Sequence, residues 1–273
     1  AFNKHSVKFE EYVKKLVAGD ESVKVNAGAV YPYDVLKGMC NLYVANSYGK
    51  TELGHIQAQW DALPNYVGEA NILPLVDVSG SMGCPAGGHG SKSGVTCLDV
   101  AVSLGLYLAD KNKGKFKDTF LTFSSNPELL HLKGNILQKI DQMVKSDWCM
   151  ATDLHAAMEK ILEVAVNGNV PQDEMPNTLL ILSDMQFNQC TRYDDSAIQM
   201  IARKYEAAGY NMPNVVFWNL NASYGNQPVE SSRKGVALVS GFSPSLVQNM
   251  GSFQDFTPEK MILDTIMKAR YNF

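Results

Sequence analysis

Three oxygen-bearing side chains, Asp77, Ser79 and Ser81, close the stretch NILPLVDVSGSM at alternate positions. They follow an apolar run, ILPLV, that reads as a buried strand. Alternate residues of an extended segment point the same way, so the three can converge, and Gly80 permits the tight turn. Two other loops offer matching atoms: Thr152 and Asp153 precede a helical pattern over 154–166, and Asp184 ends the apolar run TLLILS. Together Asp77, Ser79, Ser81, Thr152 and Asp184 make two carboxylates and three hydroxyls. An all-oxygen set this hard suits a divalent cation such as Mg2+ or Mn2+ in octahedral geometry, with Ca2+ as an alternative. Hydroxyls bring no charge, so the ion stays under-neutralised, and an open position on it attracts a carboxylate or a phosphate. Asp153 fits a helix cap better than a sixth ligand, because it precedes the positive end of a helix.

The elements that must gather these loops alternate from about residue 69. NILPLVDV, KDTFLTFSS, NTLLILSDM, PNVVFWNLN and GVALVSG read as strands, and ELLHLKG as a short edge strand. CLDVAVSLGLYLADK, ILQKIDQMVKS, TDLHAAMEKILEVAVN and DSAIQMIARKYEAAG read as helices, with SPSLVQNM and PEKMILDTIMKARY closing the chain. Such alternation predicts an α/β fold with a doubly wound, mostly parallel central sheet covered on both faces. In such sheets ligands bind outside the carboxyl ends of the strands, where Asp77 and Asp184 fall. Residues 1–68 differ. Val7, Phe9, Tyr12, Val13 and Leu16 mark one amphipathic helix with Gly19 as its stop, YPYDVLKGMCNLYVAN a second, and LGHIQAQWDAL a third ending before Pro64. The expected organisation is a helical extension over 1–68 packed on a main domain over 69–273.

Composition narrows the function classes. The chain has 273 residues and a net charge of −4, which argues against a general nucleic-acid binder. No apolar run approaches the roughly 18 residues of a membrane span, and the polar start AFNKHSVKFEEYVKKL is no signal peptide. The chain begins without Met, which predicts a processed chain or a fragment of a longer one. Five cysteines, odd in number and without C-x-x-C, predict a reducing, cytoplasmic setting. Cys84, Cys149 and Cys190 each fall beside a site loop; they read as small free thiols, with a thiol cluster as the alternative. The loop GCPAGGHGSKSG does not meet the phosphate-loop pattern, since Ser91 precedes Lys92. His89 and Lys92 in that loop either touch an anionic partner or belong to a plain insertion. Trp148 either lines the rim or packs in the core. The basic run KNKGKFK reads as a solvated turn at the far end of the domain. No H-E-x-x-H or G-x-S-x-G motif occurs, so zinc hydrolase and nucleophile-elbow chemistry find no support.

DVSGSM, then ATDL, then LLILSDM, in that order and context, resembles the metal-ion-dependent adhesion site of von Willebrand factor type A domains. The resemblance covers about residues 69–273. It implies that Asp77, Ser79 and Ser81 hold the ion directly or through water, that Thr152 moves in and out of coordination, and that Asp184 binds through water. The Thr is commonly preceded by Gly in that family, but here by Met150 and Ala151. A wider set of stretches, including VNAGAVYPYDVLKGM, WDALPNYV, YEAAGYNMPNVVFWNLN and GVALVSGFSPS, resembles an uncharacterised intracellular family of bacteria, fungi, plants, large DNA viruses and phages. Its type A domain is similar to that of the Ro (TROVE) ribonucleoproteins, which bind RNA on a ring of helical repeats that this chain is too short to hold. The resemblance implies a non-enzymatic binding module that takes an acidic residue of a protein partner as the last ligand of Mg2+. An RNA-associated, Ro-like module is the first alternative, and a metal-dependent phosphoester hydrolase the second.

Overall fold

The computed structural model describes residues 2–28, 30–37, 39, 50–87, 94–122, 126–146, 153–185, 195–221, 236–241, 243, 246–247 and 266–267. Six strands form one sheet: β1 (Ile72–Val76), β2 (Thr119–Thr122), β3 (Leu129–His131), β4 (Thr178–Ser183), β5 (Asn214–Asn219) and β6 (Val236–Ser240). Their order across the sheet is β3-β2-β1-β4-β5-β6. Among the described strands only β3 runs antiparallel to its neighbour, as a short strand at one edge. Among the described residues seven α-helices accompany them: α1 (Phe2–Val17), α2 (Pro32–Val35), α3 (Lys50–Asp61), α4 (Cys97–Lys111), α5 (Ile136–Lys145), α6 (Leu154–Asn167) and α7 (Asp195–Ala207). None among the described residues is long and apolar enough to cross a membrane.

The pleat sorts the strand residues onto two faces. Ile72, Val76, Leu180, Leu182, Val216 and Trp218 join a core with α4, α5 and the N-terminal helices. Leu73, Leu75, Leu179, Ile181, Val215 and Phe217 join a second core with α6 and α7. Helices on both faces explain why the strands read as continuous apolar runs rather than as alternating ones. Pro74 stands inside a central strand, where a missing N–H is costly. Asp77 donates its N–H to Leu182 O, so by alternation the nitrogen of Pro74 faces β2, and pairing with β2 starts only at Leu75. The buried amide of Asn112 serves the preceding backbone instead, bonding both Ile72 N and Ile72 O.

The first helices share the sheet's own core. Trp60 is 1% exposed, stacks edge-on against Tyr107, and donates its indole N–H to Asp110 Oδ2 at 3.2 Å. The Tyr107 hydroxyl donates to Pro64 O and accepts from Tyr66 N–H, pinning the linker to α4. Beneath them Lys139 Nζ lies 2.6 Å from both Asp110 Oδ1 and Asp118 Oδ1. Burial pulls this ammonium down, but the two carboxylates outweigh it and hold Lys139 above its ordinary value. The second predicted helix is described only in its first part. α2 spans only Pro32–Val35, with Pro32 at its first turn and Leu36 leaving helical geometry; residues 40–49 lie outside the described set. Of the two closing helices predicted, only residues 243, 246–247 and 266–267 are described.

Gly105 shows how tightly α4 lies on the sheet. A Cβ there would stand 2.5 Å from Val76 Cγ2 and 3.7 Å from Leu182 Cδ1. In an open helix, alanine at such a position would gain up to about 1 kcal/mol over glycine. Here overpacking reverses the sign: Gly105→Ala is expected to destabilise the fold by about 1–3 kcal/mol. Urea midpoints of the two proteins check this, and a gain in stability would show that α4 lies farther from β1.

Candidate functional site

β1 and β4 are parallel neighbours, so both end at the same edge. From β1 the chain crosses through α4 to β2 on one side, while β4 lies on the other. This divergence is a topological switch point, where an open sheet leaves a crevice at its carboxyl edge. Asp77, the residue after β1, and Asp184, the residue after β4, stand there at 2% and 4% exposure. α6 runs back toward β4, so its N-terminus opens on the same edge.

Sequence-local hydrogen bonds shape the turn. Asp77 Oδ1 accepts the Ser79 N–H at 2.9 Å, an Asx turn that folds the chain back on its own carboxylate. The Ser79 and Ser81 hydroxyl oxygens then lie 3.0 Å apart, both half-buried. A 3₁₀ turn over Gly80–Gly83 carries Ser81, and Met82 N–H closes it onto Ser79 O. Asp77 Oδ2 accepts the Ser183 hydroxyl at 2.6 Å, and Ser183 Oγ accepts the Met185 N–H at 3.0 Å. Met82 is fully buried, and its sulfur accepts the Asp184 N–H, tying the two loops together.

The second wall of the site is the start of α4. Thr96 caps the helix, accepting from Asp99 N–H while Asp99 Oδ2 accepts from Thr96 N–H. Cys97 donates its N–H to Cys84 O at 2.9 Å, and the two thiol sulfurs lie 3.5 Å apart. Asn221 Nδ2, beyond the end of β5, donates to Cys84 Sγ. Burial, and then the Cys84 thiol and the Asp184 and Asp77 carboxylates, push the Cys97 thiol well above the ordinary thiol range.

Of the residues singled out in the sequence, Asp77, Ser79 and Ser81 share one hydrogen-bonded turn, and Asp184 stands one strand away, linked through Met82. Asp153 is the N-cap of α6: its Oδ1 accepts the Ala156 N–H at 3.0 Å. Thr152, His89, Lys92 and Trp148 lie outside the described residues, as do Cys149 and Cys190. Cys84 instead meets Cys97. Ser183, Met82 and Asn221 were not anticipated. A hydroxyl just before a strand-ending Asp was a usable signal for Ser183; Met82 and Asn221 act through tertiary neighbours that spacing does not reveal. Among the described residues no group of three or more His, Cys, Asp or Glu side chains gathers. The set here is two carboxylates with hydroxyls.

The arrangement is that of an α/β, Rossmann-like fold of the von Willebrand factor A type, with a short N-terminal helical extension. The chain belongs to the family described as a domain of unknown function (DUF7788), whose profile matches residues 71–264. An uncharacterized protein of Acanthamoeba polyphaga mimivirus is 31% identical over 265 residues, covering 94% of this chain and 43% of that protein. The chain thus spans less than half the length of this relative. The crystal structure of the Deinococcus radiodurans Ro (RSR) protein matches with a TM-score of 0.55 at 17% identity, covering 91% of this chain and 48% of that one. At that identity the likeness is one of fold.

Ser183 offers a direct test of how the turn is held. Ser183→Ala leaves a buried oxygen of Asp77 without its donor and should cost about 1–3 kcal/mol. Chemical denaturation measures it; a loss below a few tenths would mean that Asp77 does not depend on Ser183.

Proposed function

We propose that the chain is a Mg2+-dependent binding module whose ion takes an acidic side chain of a protein partner as its last ligand. The observation that carries this reading is the 3.0 Å separation of the Ser79 and Ser81 oxygens beside two buried carboxylates, Asp77 and Asp184. Ligands at the 2.0–2.1 Å typical of Mg2+ in an octahedron stand about 2.9 Å apart along each edge. The hydroxyl pair therefore fits one edge of such a shell, and its present hydrogen bond is what an ion would replace. Mn2+ shares this preference for oxygen ligands. Bound Mg2+ supplies positive charge and a coordination position for an incoming carboxylate.

The protein's own groups divide the remaining tasks. Ser79 N–H and the Ser183 hydroxyl orient Asp77, and Met82 fixes the backbone at Asp184. Thr152, by the sequence resemblance, adds the third hydroxyl. Asp153 has one oxygen engaged by Ala156 and serves α6. We read the chain as a cytoplasmic binder rather than an enzyme. Turnover of a generic phosphoester with Mn2+ would overturn that part of the reading. The fold likeness to the Ro protein supports a second reading, in which the same position takes an RNA phosphate. A salt titration separates the two, because affinity for RNA falls with added salt in proportion to the phosphates contacted.

Thermal melts with and without Mg2+ test the metal reading. An ion that binds only the folded state stabilises it by about 2.7 kcal/mol at a hundred times its dissociation constant. The shift should appear in the wild type, vanish in Asp77→Ala, and persist in Asp153→Ala, which loses only about 1 kcal/mol of helix capping. Equal shifts in the wild type and Asp77→Ala would overturn it.

A further inference from the structure

Cys84 and Cys97 are held face to face by backbone, independently of their sulfur atoms. Cys97 N–H donates to Cys84 O at 2.9 Å, Pro85 and Thr96 form an antiparallel bridge, and Ala86 N–H donates to Val95 O at 2.9 Å. The two cysteines therefore stand opposite each other next to that bridge, joined by one backbone hydrogen bond, while Cys84 N–H turns to Ser81 O. Directly opposed residues of antiparallel segments place their Cα atoms about 4.5–5.5 Å apart, inside the window of roughly 4.4–6.8 Å that a disulfide accepts. The sulfurs already lie 3.5 Å apart, and both cysteines are free thiols. Cys84 is half-buried while Cys97 has no exposure, so an oxidant from solution meets Cys84 first.

We propose that Cys84 and Cys97 form a reversible oxidation site, whose disulfide staples the Asp77–Cys84 turn to the first residue of α4. The oxidant is a peroxide. The Cys84 sulfur takes one peroxide oxygen, the O–O bond breaks, and a first water leaves with Cys84 as a sulfenic acid. The Cys97 sulfur then attacks that sulfur. The S–S bond forms, the S–O bond breaks, and hydroxide leaves with the Cys97 proton as a second water. Two thiols lose two electrons and one hydrogen peroxide becomes two waters. A cellular dithiol reductant reverses the bond by exchange.

The consequence reaches the site through three residues of chain. Cys84 ends the 3₁₀ turn that carries Ser81, and its N–H donates to Ser81 O at 3.1 Å. Closing the sulfurs to bonding distance draws this turn toward α4. It also removes the Cys97 S–H that Leu220 O accepts and changes the sulfur that Asn221 holds. Short loops closed by a disulfide restrict the unfolded chain, so the oxidised protein should melt higher.

The test is a peptide map of the whole chain after mild hydrogen peroxide, without reductant and without metal. The expected product joins the Cys84 and Cys97 peptides with the loss of two hydrogen atoms, returns to free thiols in dithiothreitol, and accompanies a rise in melting temperature of several degrees. Cys84→Ser should lose both the link and the rise. Cys97→Ser should stop at a Cys84 sulfenic acid that dimedone traps, so the proposal stays testable if one variant folds poorly. Cys84 joined instead to Cys40, Cys149 or Cys190, or carried straight to sulfinic acid in the wild type, would overturn it. No arm requires Mg2+, so failure of the metal reading leaves this result unaffected.

Discussion

Asp77 is a carboxylate at 2% exposure, set directly after five strand residues that are all buried. Taking such a charge out of water is costly unless hydrogen bonds replace the lost hydration. Two donors do so here, the Ser79 N–H from the chain just ahead and the Ser183 hydroxyl from the neighbouring strand. The first requires the chain to turn at once, which produces the Ser79–Ser81 hydroxyl pair. The second requires β4 beside β1 in a register that pairs Val76 with Leu182. That register brings Asp184 to the same edge. The site and the central strand order are thus one solution to one desolvation problem.

The helix that follows the turn depends on the same placement. α4 begins with Cys97 against Cys84 and lies close enough on β1 that position 105 has no room for a methyl group. Its far end is fixed differently. Asp110 accepts from Trp60 and Lys139, and Lys139 also reaches Asp118, so α3, α4, α5 and the start of β2 meet on one ion cluster. Replacing one member of such a cluster strands a buried charge, whereas the whole group need not add net stability. Its effect is on orientation: the N-terminal helices have one way to sit on α4, and α4 has one way to present its N-terminus to the site.

The strands were legible because each is an apolar run ended by a polar residue, and β1 and β4 are the clearest cases. The grouping of Asp77, Ser79 and Ser81 was legible, although an Asx turn and a 3₁₀ turn bring them together rather than the alternation of an extended segment; the cap role of Asp153 followed from its position before a helix. Other features were not legible, for physical reasons. Within the stretch expected to be helical from Tyr31, the described residues are helical over Pro32–Val35 and turn at Leu36, because helical spacing of apolar residues also suits a turn packed into a core, as buried Leu36 and Met39 show. Cys84 finds Cys97 through an antiparallel bridge across a loop, and nothing in the spacing of those residues announces a bridge. Ser183, the last residue of β4, carried a signal in its place just before Asp184, but its bond to Asp77 depends on which strand lies alongside. Thr152 lies outside the described residues, and its place rests on the sequence alone.

Ligand charge then decides what kind of binding the proposed ion could support. An ion surrounded by carboxylates is neutralised and gains little from a further anion. Ligand charge and site rigidity are what tune such affinities across orders of magnitude. At this edge the two carboxylates are nearly enclosed, and the half-buried positions carry hydroxyls. Among these four residues, negative charge therefore stands behind the neutral ligands. On the proposed reading, an acidic side chain completes both the coordination and the charge of the ion, while a neutral side chain completes only the first. Selectivity for an anion would then come from the ion and its ligand set, without the basic surface that a chain of net charge −4 does not supply.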